Sequence, residues 1–207
     1  MFKRLLNEEN KKTTVTTAVA AVLCCGLGVL LHYAYEWSGG NLFVGLFAPV
    51  NESVWEHLKL LVMPILFLMI FEFSIYGRLR YNFFTAKFSG TLVGISTILN
   101  SYYFYTGALG IENMSLNIFL FIAGVLTAYA TSLSVMTMQK RIGGGLLETL
   151  SILALGALCA LFFWFTLYPI HVPLFRDPMN DSYGIAKPPS VQGEVARQRR
   201  DGGVVKR

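Results

Sequence analysis

The chain has 207 residues, of which 54% are hydrophobic and only 14% are charged. Soluble domains usually carry about 25% charged residues, so this composition excludes an ordinary water-soluble domain and predicts a surface that faces lipid. The net charge of +5 does not indicate a nucleic-acid partner, because the basic residues lie between apolar runs, where they act as topology signals. We therefore expect the lipid bilayer as partner and no nucleic acid.

Five apolar runs approach or exceed the length of about 20 residues that a membrane-spanning helix needs. They cover residues 13–35, 54–76, 88–105, 114–138 and 147–168. The predicted fold is all-α, a polytopic transmembrane helical bundle of about five helices in a single membrane domain, residues 13–176. The apolar stretch 41–49, between helices 1 and 2, is too short to span. We expect it to be a re-entrant or interfacial segment, or an ordered loop packed on the bundle.

Lysine and arginine residues concentrate in alternate loops. They lie before the first run, between the second and third runs, and between the fourth and fifth. The positive-inside rule then predicts a cytoplasmic N-terminus, residues 1–12, and an extracytoplasmic C-terminus. The first run has no clear small-residue cleavage site, so we expect a retained helix and not a signal peptide. Residues 177–186 are expected to form an outer loop and residues 187–207 a disordered basic tail.

The three histidines of the chain, His32, His57 and His171, fall at the same predicted membrane face. His32 lies near the outer end of helix 1, His57 in the first turns of helix 2, and His171 just beyond helix 5. Glu36 follows His32 by four residues, a spacing that puts both side chains on one helix face. The sequence thus gathers imidazoles and carboxylates at the outer end of the bundle.

The start of helix 2 adds two further carboxylates, Glu52 and Glu56, which are also four residues apart. Asn51 is a suitable N-cap, which would place Glu52 in the first turn, where the helix dipole favours negative charge. His57 points about 100° away from Glu56 around a helix. We therefore expect Glu56, with Glu52, to face the interior of the bundle.

Histidine with carboxylate is the ligand chemistry of zinc, iron and manganese sites, and also of general acid–base pairs. The candidate ligand or metal residues are His32, Glu36, Asn51, Glu52, Glu56, His57 and His171. A purely structural interpretation stays open. Glu52 would then only stabilise the helix dipole, Glu56 would pair with Lys59 along the helix, and His32 would reach the lipid headgroups.

Two other acids are expected near the inner face. Glu72 is predicted to pair with Arg78 or Arg80, which follow it closely. Glu148 is predicted to pair in the same way with the basic residues at 140–141. An acid within a membrane helix is a functional candidate by default, but an ion pair at the inner interface is the favoured interpretation of both.

Small residues also carry expectations. Gly90 and Gly94 form a small-xxx-small pair, which indicates a helix-packing face in helix 3. Cys24, Cys25 and Cys159 lie in apolar runs at spacings that fit no zinc or redox motif. We interpret the three cysteines as small residues that face lipid or neighbouring helices.

Two segments resemble a family of small bacterial multipass membrane proteins of unknown function. They are GLFAPVNESVWEHLKL, residues 45–60, and PLFRDPMNDSYGI, residues 173–185. The resemblance covers roughly residues 30–185 and implies a bacterial inner-membrane protein. It implies no activity, so no functional residue is carried over. The turn-forming residues of the second segment predict an ordered outer loop that folds back over the helix ends and brings His171 to the other candidates.

Three classes of function remain open. The first is a binding or sensing protein that holds a divalent metal such as zinc, or a small polar ligand, at the outer face. The second is a metal-assisted hydrolase or transferase acting at headgroup level. The third is a small transporter subunit, which is least favoured because the helix centres carry few polar groups. Association with further copies of the chain or with another membrane protein is compatible with each class.

Overall fold

The computed structural model of the protein describes residues 2–138 and 140–185. This part of the chain is helical, and its only β-pairing is one isolated bridge between Arg176 and Tyr183. The seven α-helical segments are α1 Phe2–Trp37, α2 Leu42–Phe47, α3 Val54–His57, α4 Lys59–Ile75, α5 Phe83–Leu109, α6 Met114–Met136 and α7 Gly144–Leu167. The predicted all-α helical bundle is confirmed. The predicted disordered tail, residues 187–207, lies outside the described residues.

Four stretches are long and apolar enough to cross a membrane: Glu8–Trp37, Val54–Ile75, Met114–Met136 and Gly144–Leu167. The predicted run 88–105 lies within α5, whose 27 residues extend about 40 Å and exceed the thickness of a bilayer core. By the same criterion of length and apolar character, α5 is not among the candidate spans, because serine, threonine, glycine, asparagine and tyrosine residues dilute its apolar run, so four of the five predicted spans are supported. The short stretch after α1 forms helix α2, which packs against α1 and α7.

The helices alternate in direction and produce two ends of the bundle. At one end lie the last turns of α1, α5 and α7 together with α2, α3 and the start of α6; we call it the histidine end. At the opposite end, the turn Gly77–Leu79 joins α4 to α5. There Arg80 donates hydrogen bonds to Asn10 Oδ1 and Thr13 Oγ1 of α1, both at 2.8 Å.

Helices α1 and α4 approach closely beside a proline. Pro64 lies inside α4 and has no N–H to donate to the carbonyl of Leu60. That carbonyl oxygen faces Gly28 of α1, where a Cβ atom would lie only 2.9 Å from it. One turn earlier in α1, the thiol of the buried Cys24 points at the carbonyl of Leu61 at 3.9 Å. Small residues on α1 thus fit against the irregular part of α4.

The predicted glycine face joins α5 to α6, the pair of helices with the most extensive contact in the structure. A Cβ atom at Gly90 would collide with the backbone of Ala128, and one at Gly94 would lie 2.9 Å from the carbonyl oxygen of Gly124. Close backbone approach through small residues is how helices pack within a bilayer. The interpretation of Gly90 and Gly94 as a packing face is therefore correct.

The predicted partners of Glu72 are wrong. Its carboxylate is buried and accepts hydrogen bonds from Lys87 and from the Tyr76 hydroxyl, both at 2.5 Å. Arg80 instead reaches α1, and Arg78 lies over the ring of Phe73. The physical reason is the tight turn after α4, which brings the first turns of α5 directly against the last turns of α4.

Glu148 does not pair with neighbouring basic residues either. Its carboxylate accepts the backbone N–H groups of Phe84 and Thr85, at 3.0 and 3.2 Å, and the Thr85 hydroxyl at 2.6 Å. The first N–H groups of a helix have no partner within the helix. A residue of α7 therefore caps α5, because the N-cap residue Asn82 turns its side chain to Lys140 and Ile142.

Candidate metal site at the histidine end

Three of the predicted candidates meet in space at the histidine end. His32 of α1, Glu52 of the loop before α3, and His57 of α3 each offer one ligand atom, and these atoms all lie within 4.8 Å of one another. His57 Nε2 is 3.3 Å from Glu52 Oε2, and the rings of His32 and His57 are 5.2 Å apart. The residues come from two helices and a loop, so only the tertiary fold brings them together.

The orientation of His57 follows from its hydrogen bond to the backbone. His57 Nδ1 lies 3.0 Å from the carbonyl oxygen of Ser53, and a carbonyl oxygen can only accept. Nδ1 therefore carries a proton, and Nε2 of a neutral ring presents its lone pair. In metal sites the second ring nitrogen of a histidine ligand usually makes this kind of hydrogen bond, which fixes the tautomer.

This tautomer places two acceptors opposite each other. The lone pair of His57 Nε2 faces a carboxylate oxygen of Glu52 at 3.3 Å, which is repulsive unless a proton or a cation lies between them. A proton there makes His57 an imidazolium that donates to Glu52, and this hydrogen bond lowers the pKa of the carboxyl from its ordinary value; a metal ion would fill the same position. His32 adds a buried Nδ1 atom with no hydrogen-bond partner among the described residues. The cluster therefore has a place for a proton or a cation between His57 Nε2 and Glu52 Oε2.

The loop that carries Glu52 differs from the prediction. The N-cap of α3 is Ser53, whose hydroxyl accepts the N–H of Glu56, so Asn51 as N-cap is wrong. Residues 51–53 are not helical, and the four-residue spacing between Glu52 and Glu56 therefore does not put them on one face. Glu52 instead lies against His57, the residue that the helical spacing had disfavoured.

Glu56 points into the bundle and belongs to a different cluster. It forms a buried ion pair with Lys59 at 2.7 Å and accepts the Val50 N–H at 3.0 Å and the Thr166 hydroxyl at 2.9 Å. Lys59 also donates to the carbonyl oxygens of Gly45 and Ala48. The structural interpretation predicts the pairing of Glu56 with Lys59, which is confirmed, but not the further hydrogen bonds by which the pair joins α2, the following loop and α7.

The remaining candidates lie apart from the three-residue cluster. Glu36 is exposed one turn beyond His32. His171 is also exposed, and its ring packs against Tyr183 at 4.6 Å. Asn51 donates to the carbonyl oxygen of Gly184 at 2.9 Å. The loop of residues 169–185 does fold back onto the helix ends, but it does not bring His171 to His32, Glu52 and His57.

Sequence reasoning missed a second buried polar centre, at the opposite end. Lys87 donates to Glu72 and lies 4.7 Å from the ring centroid of Tyr129. The Tyr129 hydroxyl is buried without a hydrogen-bond partner among the described residues. In the sequence, Lys87 is one of the basic residues between the second and third apolar runs. The sequence feature that points to this pair is the short connection after Glu72. A tight turn there brings Lys87, one turn into the next helix, back towards Glu72.

Of the comparisons with known proteins, one identifies a family of unknown function, which is the coarser part of the sequence resemblance. The sequence model of a family of unknown function, DUF6512, matches residues 2–185. The chain belongs to this family. No curated protein and no solved structure matches it. The matched region includes all three residues of the cluster.

Proposed function

We propose that this DUF6512 protein binds a divalent transition-metal ion, with zinc as the best chemical match, through His32, Glu52 and His57. The observation that carries the proposal is the approach of His57 Nε2 to Glu52 Oε2 at 3.3 Å while His57 Nδ1 is engaged by a carbonyl oxygen. A cation between the two acceptors converts their repulsion into coordination.

The ligand set and its dimensions support zinc. Two histidines and one carboxylate form a known protein ligand set for this ion. Ligand atoms about 2.1 Å from a tetrahedral zinc lie about 3.4 Å from one another, close to the separation between His57 and Glu52. The third ligand atom, on His32, lies within 4.8 Å of the others, so it would have to approach by about 1 Å to complete the tetrahedral geometry. The same set also suits iron(II).

The expected location of the site is the outer face of a bacterial inner membrane, with the N-terminus in the cytoplasm. The alternation of basic loops supports this orientation. Cysteine labelling in intact cells tests it: Gly110→Cys at the histidine end is expected to react with an impermeant reagent, and Gly144→Cys at the opposite end is not. The reverse pattern would place the proposed metal site on the cytoplasmic face.

A metal-assisted hydrolase or transferase is the second candidate function. Three protein ligands leave one tetrahedral position for water or substrate, which is the arrangement of catalytic zinc sites. A bound metal would lower the pKa of that water and supply a nucleophile at neutral pH. Glu36, exposed one turn beyond His32, is the nearest acid along α1 to serve as a base. Phosphate or ester groups at headgroup level would be the accessible substrates.

Metal analysis of the protein purified in detergent tests the primary proposal. Wild type is expected to carry about one zinc ion per chain after exposure to zinc and removal of the excess. His32→Ala, His57→Ala and Glu52→Gln are each expected to lose it. Glu36→Gln and His171→Ala are matched controls, because they remove the same groups from the same end of the bundle outside the cluster. A folded wild type that stays free of zinc, or controls that lose metal equally, would contradict the proposal.

A further inference from the structure

We infer that Asn51 is a positioning residue for the metal site, and that it couples the site to the segment of residues 169–185, which we call the strap. This inference rests on the proposed function, because the site that Asn51 positions is the one formed by His32, Glu52 and His57. Asn51 is not proposed as a metal ligand. Its side chain bonds only to backbone groups, and it positions Glu52 through the backbone on either side of that residue.

The first half of the argument is a turn that closes around Glu52. Asn51 Oδ1 accepts the backbone N–H of Ser53 at 2.9 Å, so the residue between them lies inside an Asx turn. The Ser53 side chain then caps α3, and its carbonyl oxygen orients His57. One amide side chain thus fixes the backbone of Glu52 and the residue that sets the His57 tautomer.

The second half is the link to the strap. Asn51 Nδ2 donates to the carbonyl oxygen of Gly184 at 2.9 Å, across 133 residues of sequence. Gly184 has φ +63°, and a Cβ atom there would lie 2.9 Å from Pro169 and 3.2 Å from the carbonyl oxygen of Thr166. Glycine is therefore required at this position, and its carbonyl is held at a defined place above the end of α7.

The strap is internally ordered, so it provides a firm anchor. Asp177 and Ser182 are joined by a backbone hydrogen bond of 2.9 Å, and the isolated bridge lies just outside them. The carboxylate of Asp177, which is buried, accepts the N–H of Met179 at 2.8 Å. These local bonds fold residues 176–183 into a compact turn without help from the metal site.

A second contact ties the strap to α3. Phe175 is buried, and its ring lies 4.9 Å from that of Trp55 and 5.2 Å from that of Phe165. Trp55 stands between Glu52 and His57 in sequence and also stacks on Phe162 at 4.6 Å. The strap therefore holds the segment 51–57 at both sides, through a hydrogen bond at Asn51 and an aromatic contact at Trp55.

The strap contributes no ligand to the cluster, since its histidine packs on Tyr183. Its expected effect is on affinity and not on the number of ligands. Groups that orient metal ligands typically change metal affinity by about 10–100-fold when they are removed. We expect that range for loss of both Asn51 hydrogen bonds, and a smaller loss when only the strap bond is removed.

Zinc affinity measured by competition with a chelator tests the inference. Asn51→Ala removes both hydrogen bonds and is expected to weaken zinc binding about 10–100-fold. Asn51→Ser keeps a short acceptor for the Ser53 N–H but cannot reach Gly184, so an intermediate loss is expected. Gly184→Ala disturbs the anchor from the other side and should resemble Asn51→Ser. Asn180→Ala is the matched control, because this asparagine makes the same kind of turn within the strap without touching the site.

Hydrogen exchange in the absence of metal provides a second readout. Asn51→Ala is expected to speed exchange of the Ser53 amide, while the amides of α6 keep their protection, which shows that the bundle is folded. Wild-type zinc affinity in Asn51→Ala, together with an unchanged Ser53 amide, would overturn the inference and leave the proposed metal site standing. Metal-free wild type with fast exchange in Asn51→Ala would instead overturn the proposed function and retain the positioning of Glu52.

Discussion

The described part of the chain contains two buried lysine–glutamate pairs, one at each end of the bundle, and the two lysines differ in the number of hydrogen bonds that they donate. At the histidine end, Lys59 donates to Glu56 and to two backbone carbonyls. At the opposite end, Lys87 has one acceptor among the described residues, Glu72, and otherwise faces aromatic rings. The two lysines are equally buried, but Lys59 is surrounded by oxygen acceptors and Lys87 mainly by aromatic rings.

The difference indicates different roles. Burying an ion pair costs desolvation, which good geometry and additional hydrogen bonds offset. Glu56 and Lys59 bind backbone groups of Gly45, Ala48 and Val50, at the end of α2 and in the loop after it, so the pair supports that loop and the segment that carries Glu52. Glu72 and Lys87 bind side chains only, and they join two helices that already pack through a short turn.

The largest expected effect is loss of one lysine. Lys59→Met and Lys87→Met each leave a buried carboxylate without its partner, which costs about 3–5 kcal/mol of unfolding free energy. Lys59→Met is expected at the upper end, because two backbone carbonyls also lose their donor. Unfolding in mixed micelles measures both, with the exposed Lys140→Met as control. Equal values for the two pairs would remove the distinction drawn here.

Replacing both partners separates the pairs further. Glu72→Leu with Lys87→Met is expected to recover most of the single-variant loss, because few other groups depend on that pair. Glu56→Leu with Lys59→Met is expected to stay about 3 kcal/mol below wild type, because several backbone groups and Thr166 lose their partners. Unfolding in mixed micelles measures the stability of both double variants. Recovery at both ends would show that the Glu56–Lys59 pair does not support the loop.

Zinc is expected to stabilise only through the histidine end. At a free concentration of 100 times its dissociation constant, a bound ion adds about 2.7 kcal/mol to the unfolding free energy. His57→Ala is expected to abolish this gain, whereas the double variant of Glu72 and Lys87 should keep it. Thermal unfolding with and without zinc provides the measurement. A gain that survives in His57→Ala would mean that zinc binds elsewhere.

The smallest effects concern two buried hydroxyls. The single hydroxyl proton of Thr166 is shared between Glu56 at 2.9 Å and the carbonyl oxygen of Phe162 at 2.8 Å, so Thr166→Val is expected to cost about 1.5 kcal/mol, the lower end of the range for hydrogen bonds to charged groups. Tyr129→Phe removes a hydroxyl that has no partner among the described residues, so the expected change lies between neutral and about 1 kcal/mol of stabilisation. A clear loss in Tyr129→Phe, measured by unfolding, would reveal a hidden partner near Lys87.

The sequence predicted the helices better than the contacts between them. Long charge-free runs are sufficient to identify α1, α6 and α7, because the bilayer requires about 20 apolar residues whatever the tertiary packing. The sequence predicts the third helix from residue 88, whereas α5 begins at Phe83. Lys87 lies one turn into α5, and the bundle tolerates this buried charge because Glu72 pairs with it. The pairing depends on a contact between two helices, so no local sequence pattern predicts it.

The members of the candidate site could be predicted from the sequence, but the contacts between them could not, because those contacts depend on the tertiary fold. His32, Glu52 and His57 were among the candidates because imidazoles and carboxylates fell at one membrane face. The pairing within the set depended on whether residue 52 is helical, and the helix begins only at Val54. Asn51 was recognised as a residue that hydrogen-bonds backbone amides, but its second partner, Gly184, lies too far along the chain for any spacing argument to reach.

The bond between Asn51 and Gly184 also dictates an order of events during synthesis. His32, Glu52 and His57 emerge from the ribosome more than a hundred residues before the strap does. Long-range contacts form late because the intervening chain must first be placed. With the proposed orientation, the strap reaches its position only after α7 has inserted and residues 169–185 have crossed the membrane. A chain halted after α6 would expose His32, Glu52 and His57 without the strap that we infer to position them.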